Sequence, residues 1–293
     1  MTSPTLRTRV PVSPEAGDLS KPTEIEERVD LYVHRPLAAL LVGLLLRTPI
    51  TPNQVTLISA LLGVLAALLL ALGAENPWWR ALGALALLAS VVFDCADGQL
   101  ARARRVSSTF GAVLDGIADY VVGVTAFVGF VYASVTLSKD PSVWVLGTIA
   151  GLSCAVHSAL FDSAKLRYTQ AAGFLFRDRE EDLSRIALER AQARQRGDLK
   201  TLLMFWLYDK YTRAQRAALA APPPTNPTEF RRRYKGQIQL WTYLGIGTHL
   251  ALLYTGAALS CLWPPALIVC FVIIAGPMNL LLGWLWFQER SRV

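Results

Sequence analysis

A chain of 293 residues, 53% hydrophobic and only 17% charged, with a mean hydropathy of +0.36, reads as an all-α integral membrane protein. The net charge of +7 does not point to nucleic acid, because no recognisable nucleic-acid-binding module accompanies it. The four cysteines, Cys95, Cys154, Cys261 and Cys270, form no CxxC pair and all fall in apolar segments, so they read as small buried hydrophobes.

Residues 1–23 hold prolines, serines and few large apolar side chains, and are expected to be a disordered cytosolic tail. The first apolar run does not follow a short basic start, so no cleavable signal peptide is expected. Residues 24–47 form the next unit. A helical pattern starts at Glu24, and residues 36–46 are apolar up to Arg47. Eleven residues are too few to cross a bilayer, so an interfacial amphipathic helix is expected.

Residues 48–167 are expected to be the membrane-embedded catalytic core, with four spans. Thr51 is placed to cap the first, with Pro52 at its first helical position. Residues 54–74 then run without a charge. Trp78, Trp79 and Arg80 mark the opposite interface. Residues 81–93 bring the chain back, and the same helix is expected to run past Ala101. Ser107, Ser108 and Thr109 are candidate caps for the third span, 110–137, and the fourth covers 142–161.

Residues 168–237 read as a cytosolic insertion rich in Arg, Glu, Asp and Gln, broken by Pro222, Pro223, Pro224 and Pro227. Its stretch 202–208 suits a membrane surface or packing on the domain. Residues 238–293 supply two further spans, 238–262 and 264–287, turned by Trp263, Pro264 and Pro265, and a short cytosolic tail. The expectation is six transmembrane helices preceded by the interfacial helix.

Of the 29 Lys and Arg residues, only Arg80 and Lys139 fall on the side away from the amino terminus. Basic residues favour the cytosolic side, so both termini are expected there, in a multi-pass protein of a bacterial-type cytoplasmic membrane.

Four carboxylates then stand out. Asp94 and Asp97 are three apart, and Asp115 and Asp119 four apart, so each pair shares a helix face. Each pair lies in or beside an apolar segment, where an ionised carboxylate is costly unless a positive charge holds it. The simplest arrangement turns the pairs toward each other across two helices, with divalent cations between. Oxygen-only ligation favours magnesium or manganese, and two such ions roughly 4 Å apart would grip a phosphoryl group. By the basic-residue argument the pairs lie near the cytosolic face.

The run Asp94-x-x-Asp97-Gly98-x-x-Ala101-Arg102, eight residues, then Gly111-x-x-x-Asp115-x-x-x-Asp119 resembles the signature of the CDP-alcohol phosphotransferases. The resemblance implies transfer of a phosphoryl-alcohol group from a CDP-alcohol to an acceptor alcohol with release of CMP, in phospholipid biosynthesis. It implies metal ligation by Asp94, Asp97 and Asp115, with Asp119 close to a second ion and acting as general base. A donor such as CDP-diacylglycerol is expected. The signature serves equally a soluble CDP-alcohol of the CDP-choline or CDP-ethanolamine type, with diacylglycerol as acceptor. Family members are commonly homodimers, a feature no pattern in this chain indicates independently.

Around the acids, Gly98 and Ala101 are small enough to leave room for the nucleotide, and Gly111 to let the third span approach the second. Arg102 is placed to reach a phosphate or an acid, and Arg104 and Arg105 to anchor the topology. Asn53 and Thr56 open the first span at the same level, as nucleotide contacts or as helix-capping groups. Ser153 and His157 suit an acceptor pocket or a bond to a neighbouring helix, and His249 has no better claim. A cation transporter is the rival class, but its acids would line a path across the bilayer, whereas these cluster at one face.

Overall fold

The computed structural model describes residues 23–106, 109–173, 188, 190–199, 202, 206 and 226–290. Expectations for the tail 1–22, for most of the insertion and for residues 291–293 fall outside them. The described residues are helical, with no strand. A 3-10 turn, Thr23–Ile25, and a π-helical turn, Asp30–His34, precede α1 (Arg35–Leu45). Then come α2 (Pro52–Leu72), α3 (Pro77–Ala103), α4 (Thr109–Ser138) and α5 (Val143–Ala171). After the insertion follow α6 (Pro227–Trp241), α7 (Ile246–Ser260), α8 (Ala266–Ile273), a π turn (Ile274–Met278) and α9 (Asn279–Arg290).

Local chemistry sets the helix starts. Thr51 and Gln54 form a reciprocal capping box, Gln54 Oε1 accepting from Thr51 N–H at 2.8 Å, with Pro52 in the first turn. Asn76 before Pro77 and Asn226 before Pro227 repeat the cap-then-proline device, each side chain accepting a backbone N–H. Among the described residues, five helices are long and apolar enough to cross a membrane: Pro52–Leu72, Pro77–Ala103, Leu114–Ser138, Val143–Ala171 and Ala266–Glu289.

The segment expected as the fifth span, 238–262, is not one helix. It breaks at a 3-10 turn, Thr242–Leu244, and restarts after Gly245. The physical reason is Glu27. Its carboxyl group enters the first turn of α7 and accepts from Gly247 N–H (3.2 Å), Thr248 N–H (2.6 Å) and Thr248 Oγ1–H (2.7 Å). An acid at a helix amino terminus meets both unpaired donors and the positive end of the dipole. A Cβ at Gly245 would collide with that carboxyl group, so the break needs glycine. Burial pushes the Glu27 carboxyl up from 4.5 to about 8, Asp30 adds to the shift, and the bonds from Thr248 and Gly247 work against it.

The bundle is built on α2, which lies against both α3 and α4. Ser59 and Ser90 exchange hydroxyl-to-carbonyl bonds of 2.9 and 2.8 Å between α2 and α3. Gly129 of α4 sits on the Ala67 backbone, with no space for a side chain. Leu70, Leu87, Phe130, Leu253 and Phe271 fill the core. Arg80, expected as an interface marker, is instead 3% exposed. It donates to the Ala74 carbonyl and to the hydroxyl and carbonyl of Ser260, and so joins α2, α3 and α7 at the end away from the acids. The α1 helix buries Ala38, Val42 and Leu45 with Ala96 and Leu100 of α3 and leaves Leu40 and Leu44 exposed, the two-sided pattern of an interfacial helix.

Replacing Glu27 by Ala should strand the donors of Gly247 and Thr248. Stability should fall by about 1–3 kcal/mol, read as a lower Tm in detergent, with Glu27→Gln intermediate because one acceptor oxygen remains.

Candidate active site

The last turns of α3 and the first turns of α4 bring the two acid pairs together. One carboxylate oxygen from each of Asp94, Asp97 and Asp115 lies within 4.8 Å of the others. Asp119 meets Asp94 side chain to side chain. Asp97 is 6% exposed, Asp94 and Asp115 are half-buried, and Asp119 is open. The cluster therefore has a closed floor and an open mouth.

Like charges this close repel strongly where water is scarce, so the arrangement suits a bound cation or shared protons. Three points within 4.8 Å of one another share a centre no more than about 2.8 Å away, against about 2.0–2.1 Å for a magnesium–oxygen bond. Small side-chain movements close that gap. The donor set is oxygen alone, which suits a hard divalent ion.

Supporting contacts fix these acids. Thr56 Oγ1 donates to Asp97 Oδ2 at 2.5 Å and also to the Pro52 carbonyl at 3.2 Å. The hydroxyl thus holds Asp97 in place from α2. Asn53 lies half-buried one turn earlier, on the same helix. The Arg102 guanidinium lies over Gly98, 3.4 Å from where a Cβ would stand, and no other neighbour comes within 4 Å. It also acts on Asp97 electrostatically. Ala101 is half-buried beside it, and Gly111 stands one turn before Asp115 in α4.

Arg104 is the residue whose role sequence reasoning left thinnest. It donates to the carbonyls of Leu45 (2.9 Å), Thr48 (2.8 Å) and Ile50 (2.5 Å). It thereby satisfies the open end of α1 and fixes the link into α2, one turn before Thr56. Asp162 of α5 is the acid that sequence reasoning missed. It is a fifth carboxylate within electrostatic reach of Asp119, with Lys165 beside it. The signal is present, since Asp162 ends the apolar run of the fourth span.

Ser153, His157 and His249 do not line the acid cluster. The ring nitrogens of His157 lie 3.1 Å from His249 Nε2 and 3.0 Å from Asn279 Oδ1, and Asn279 donates to Ser153 at 2.8 Å. They tie α5, α7 and α9 together, the neighbouring-helix bond that is the alternative to an acceptor pocket.

Residues 49–174 match the family described as CDP-alcohol phosphatidyltransferase. The likeness to that family lies in this stretch of the chain. The matched stretch contains all four acids, Thr56, Arg102 and Arg104. The chain is similar to a phosphatidylinositol phosphate synthase of Mycobacteroides abscessus, 33% identical over 141 residues, 48% of this chain and 58% of that one. The corresponding enzyme of Corynebacterium glutamicum is 34% identical over 131 residues, 45% and 56% of the two chains. A bifunctional IPC transferase and DIPP synthase of Rubrobacter xylanophilus is 52% identical, but over 75 residues, 26% of this chain and 16% of that one. The matches thus span less than two thirds of these relatives.

Thr56→Val should leave the bundle folded while freeing Asp97 to turn. Loss of such an outer partner typically weakens metal binding about 10–100-fold, so half-maximal activity should need correspondingly more magnesium, and Thr56→Ser should restore it.

Proposed function

We propose that the chain transfers a phosphatidyl group from CDP-diacylglycerol to an alcohol acceptor, releasing CMP. The observation that carries this is the convergence of Asp94, Asp97 and Asp115 within 4.8 Å, with Asp119 beside them at the open side. The relatives named phosphatidylinositol phosphate synthase support an inositol phosphate as the acceptor. A soluble CDP-alcohol with diacylglycerol as acceptor is the second reading, because the signature residues Asp94 to Asp119 serve either donor.

In this reading Asp94, Asp97 and Asp115 hold divalent metal, magnesium or manganese, with Asp119 beside a second ion. Ions held there would offset the charge of the donor's pyrophosphate. The chain's own groups do the rest. Gly98 and Ala101 leave the α3 face open to the cytidine nucleotide, and Arg102 meets a phosphate oxygen. Gly111 keeps the start of α4 slim, and Asn53 borders the same opening. Asp119 takes the proton of the acceptor hydroxyl while that oxygen bonds to the phosphorus of the phosphatidyl group. The bond from phosphorus to CMP breaks. A carboxylate suits this step because it stands at the open side where the hydroxyl arrives, and a neighbouring cation would keep it ionised and able to take the proton.

The test is CMP release by purified protein from CDP-diacylglycerol and from soluble CDP-alcohols, with inositol phosphate, inositol and diacylglycerol as acceptors. Asn variants of the four acids divide the roles. Loss of Asp94, Asp97 or Asp115 should abolish turnover and weaken donor binding, with partial rescue by magnesium. Asp119→Asn should lower turnover by about 10²–10⁴-fold while the donor still binds. Near-normal turnover in Asp94→Asn or Asp97→Asn would refute the metal assignment.

The active-site end of the membrane-embedded core (48–167), the insertion (168–237) and both termini face the cytosol in this proposal, and two copies associate as the resemblance implies. Cysteines introduced beside Glu75 and Lys139 should label from outside intact cells, and one at Arg194 should not. Cross-linking in the membrane should give twice the 32.1 kDa chain mass.

A further inference from the structure

A second cluster of ligand-type side chains lies on the other side of α3 from the acids, where no role has been assigned. One donor atom each from Asp30, His34 and Cys95 falls within 4.8 Å of the others. Asp30 and His34 come from the π-helical turn before α1, a rare conformation concentrated at functional sites. Cys95 comes from α3, one residue after Asp94. His34 is fully buried, and the Asp30 side chain is 21% exposed.

We propose that Asp30, His34 and Cys95 form a zinc-type metal site that fastens the amino-terminal segment to the helix carrying Asp94 and Asp97. The geometry has the parts such a site needs. His34 Nδ1 and Asp30 Oδ1 stand 2.7 Å apart on one side. The other ring nitrogen, Nε2, lies 3.1 Å from the Tyr254 hydroxyl, the outer hydrogen bond that fixes ring and tautomer in metal-bound histidines. Donor atoms within 4.8 Å share a centre no more than about 2.8 Å away, and contraction of about half an ångström reaches zinc bond lengths of about 2.0–2.3 Å. The Asp30–His34 pair must part slightly to bind one ion.

Charge and softness agree. A thiolate and a carboxylate together cancel a divalent ion, so the filled site is neutral where hydrocarbon is near. A thiolate with an imidazole selects zinc over magnesium, whereas the oxygen-only cluster of Asp94, Asp97 and Asp115 does the reverse. The exposed edge of Asp30 gives the ion an entry path and a fourth position for water. Cys95, read from sequence as a small buried hydrophobe, becomes a ligand. The inference does not rest on the transferase reading.

The test uses full-length protein in detergent, stripped with chelator and kept in excess magnesium, then titrated with cobalt(II). Expected is a thiolate-to-cobalt charge-transfer band, displaced by zinc. It should be absent in Cys95→Ser and retained in Asp97→Asn. Tyr254→Phe should bind cobalt about 10–100-fold more weakly. No band, or a band unchanged in Cys95→Ser, would overturn the proposal. Should Cys95→Ser fail to fold, alkylation of Cys95 in the unmodified protein, mapped by mass spectrometry, decides the question instead. Protection by zinc supports the site, and equal rates with and without zinc refute it.

Discussion

Four carboxylates meeting between two helices set the terms for this molecule. Ionised carboxylates so close repel, and the low dielectric around them strengthens that repulsion. Holding them together takes contacts that fix the crossing, and a bound cation or proton that offsets the charge. Much of the remaining structure supplies the first condition. The second is the reason the site suits divalent metal.

The crossing is fixed through α2, which carries none of the acids. It is held to α3 by the paired Ser59 and Ser90 hydroxyls and to α4 by the backbone contact at Gly129. Without water to drive helices together, close backbone approach and hydrogen bonds between helices carry the association. Thr56 extends that control to the chemistry, since the helix that sets the spacing also donates a hydrogen bond to Asp97. Arg104 fixes the start of α2 from outside, by holding the carbonyls at the end of α1.

A second set of ties runs through the segment before α1. Glu24 binds Tyr168 and Arg231, Glu27 occupies the start of α7, and Glu26 pairs with Arg35. Gln99 of α3 donates to the Arg35 carbonyl. These acids are almost fully buried, so each needs its partner. The result joins α3, which carries half of the acid cluster, to α5, α6 and α7 on the other side of the bundle. A segment polar enough to pass for the end of a tail is thus built into the domain.

The sequence by itself determined the start of α2, the α1–α5 order and the four acids, because these depend on local chemistry. Thr51-Pro52 is a cap wherever it folds, and Asp residues three and four apart share a face on any helix. It could not determine the break at Gly245, since residues 238–262 are apolar enough for one span and the cause, Glu27, lies more than two hundred positions away. Nor could it show that Thr56 serves Asp97, that Arg80 is buried, or that Cys95 stands with Asp30 and His34. Each of those depends on which side chains from distant helices meet. Periodicity gives a residue its face, but only the packed bundle decides what that face touches.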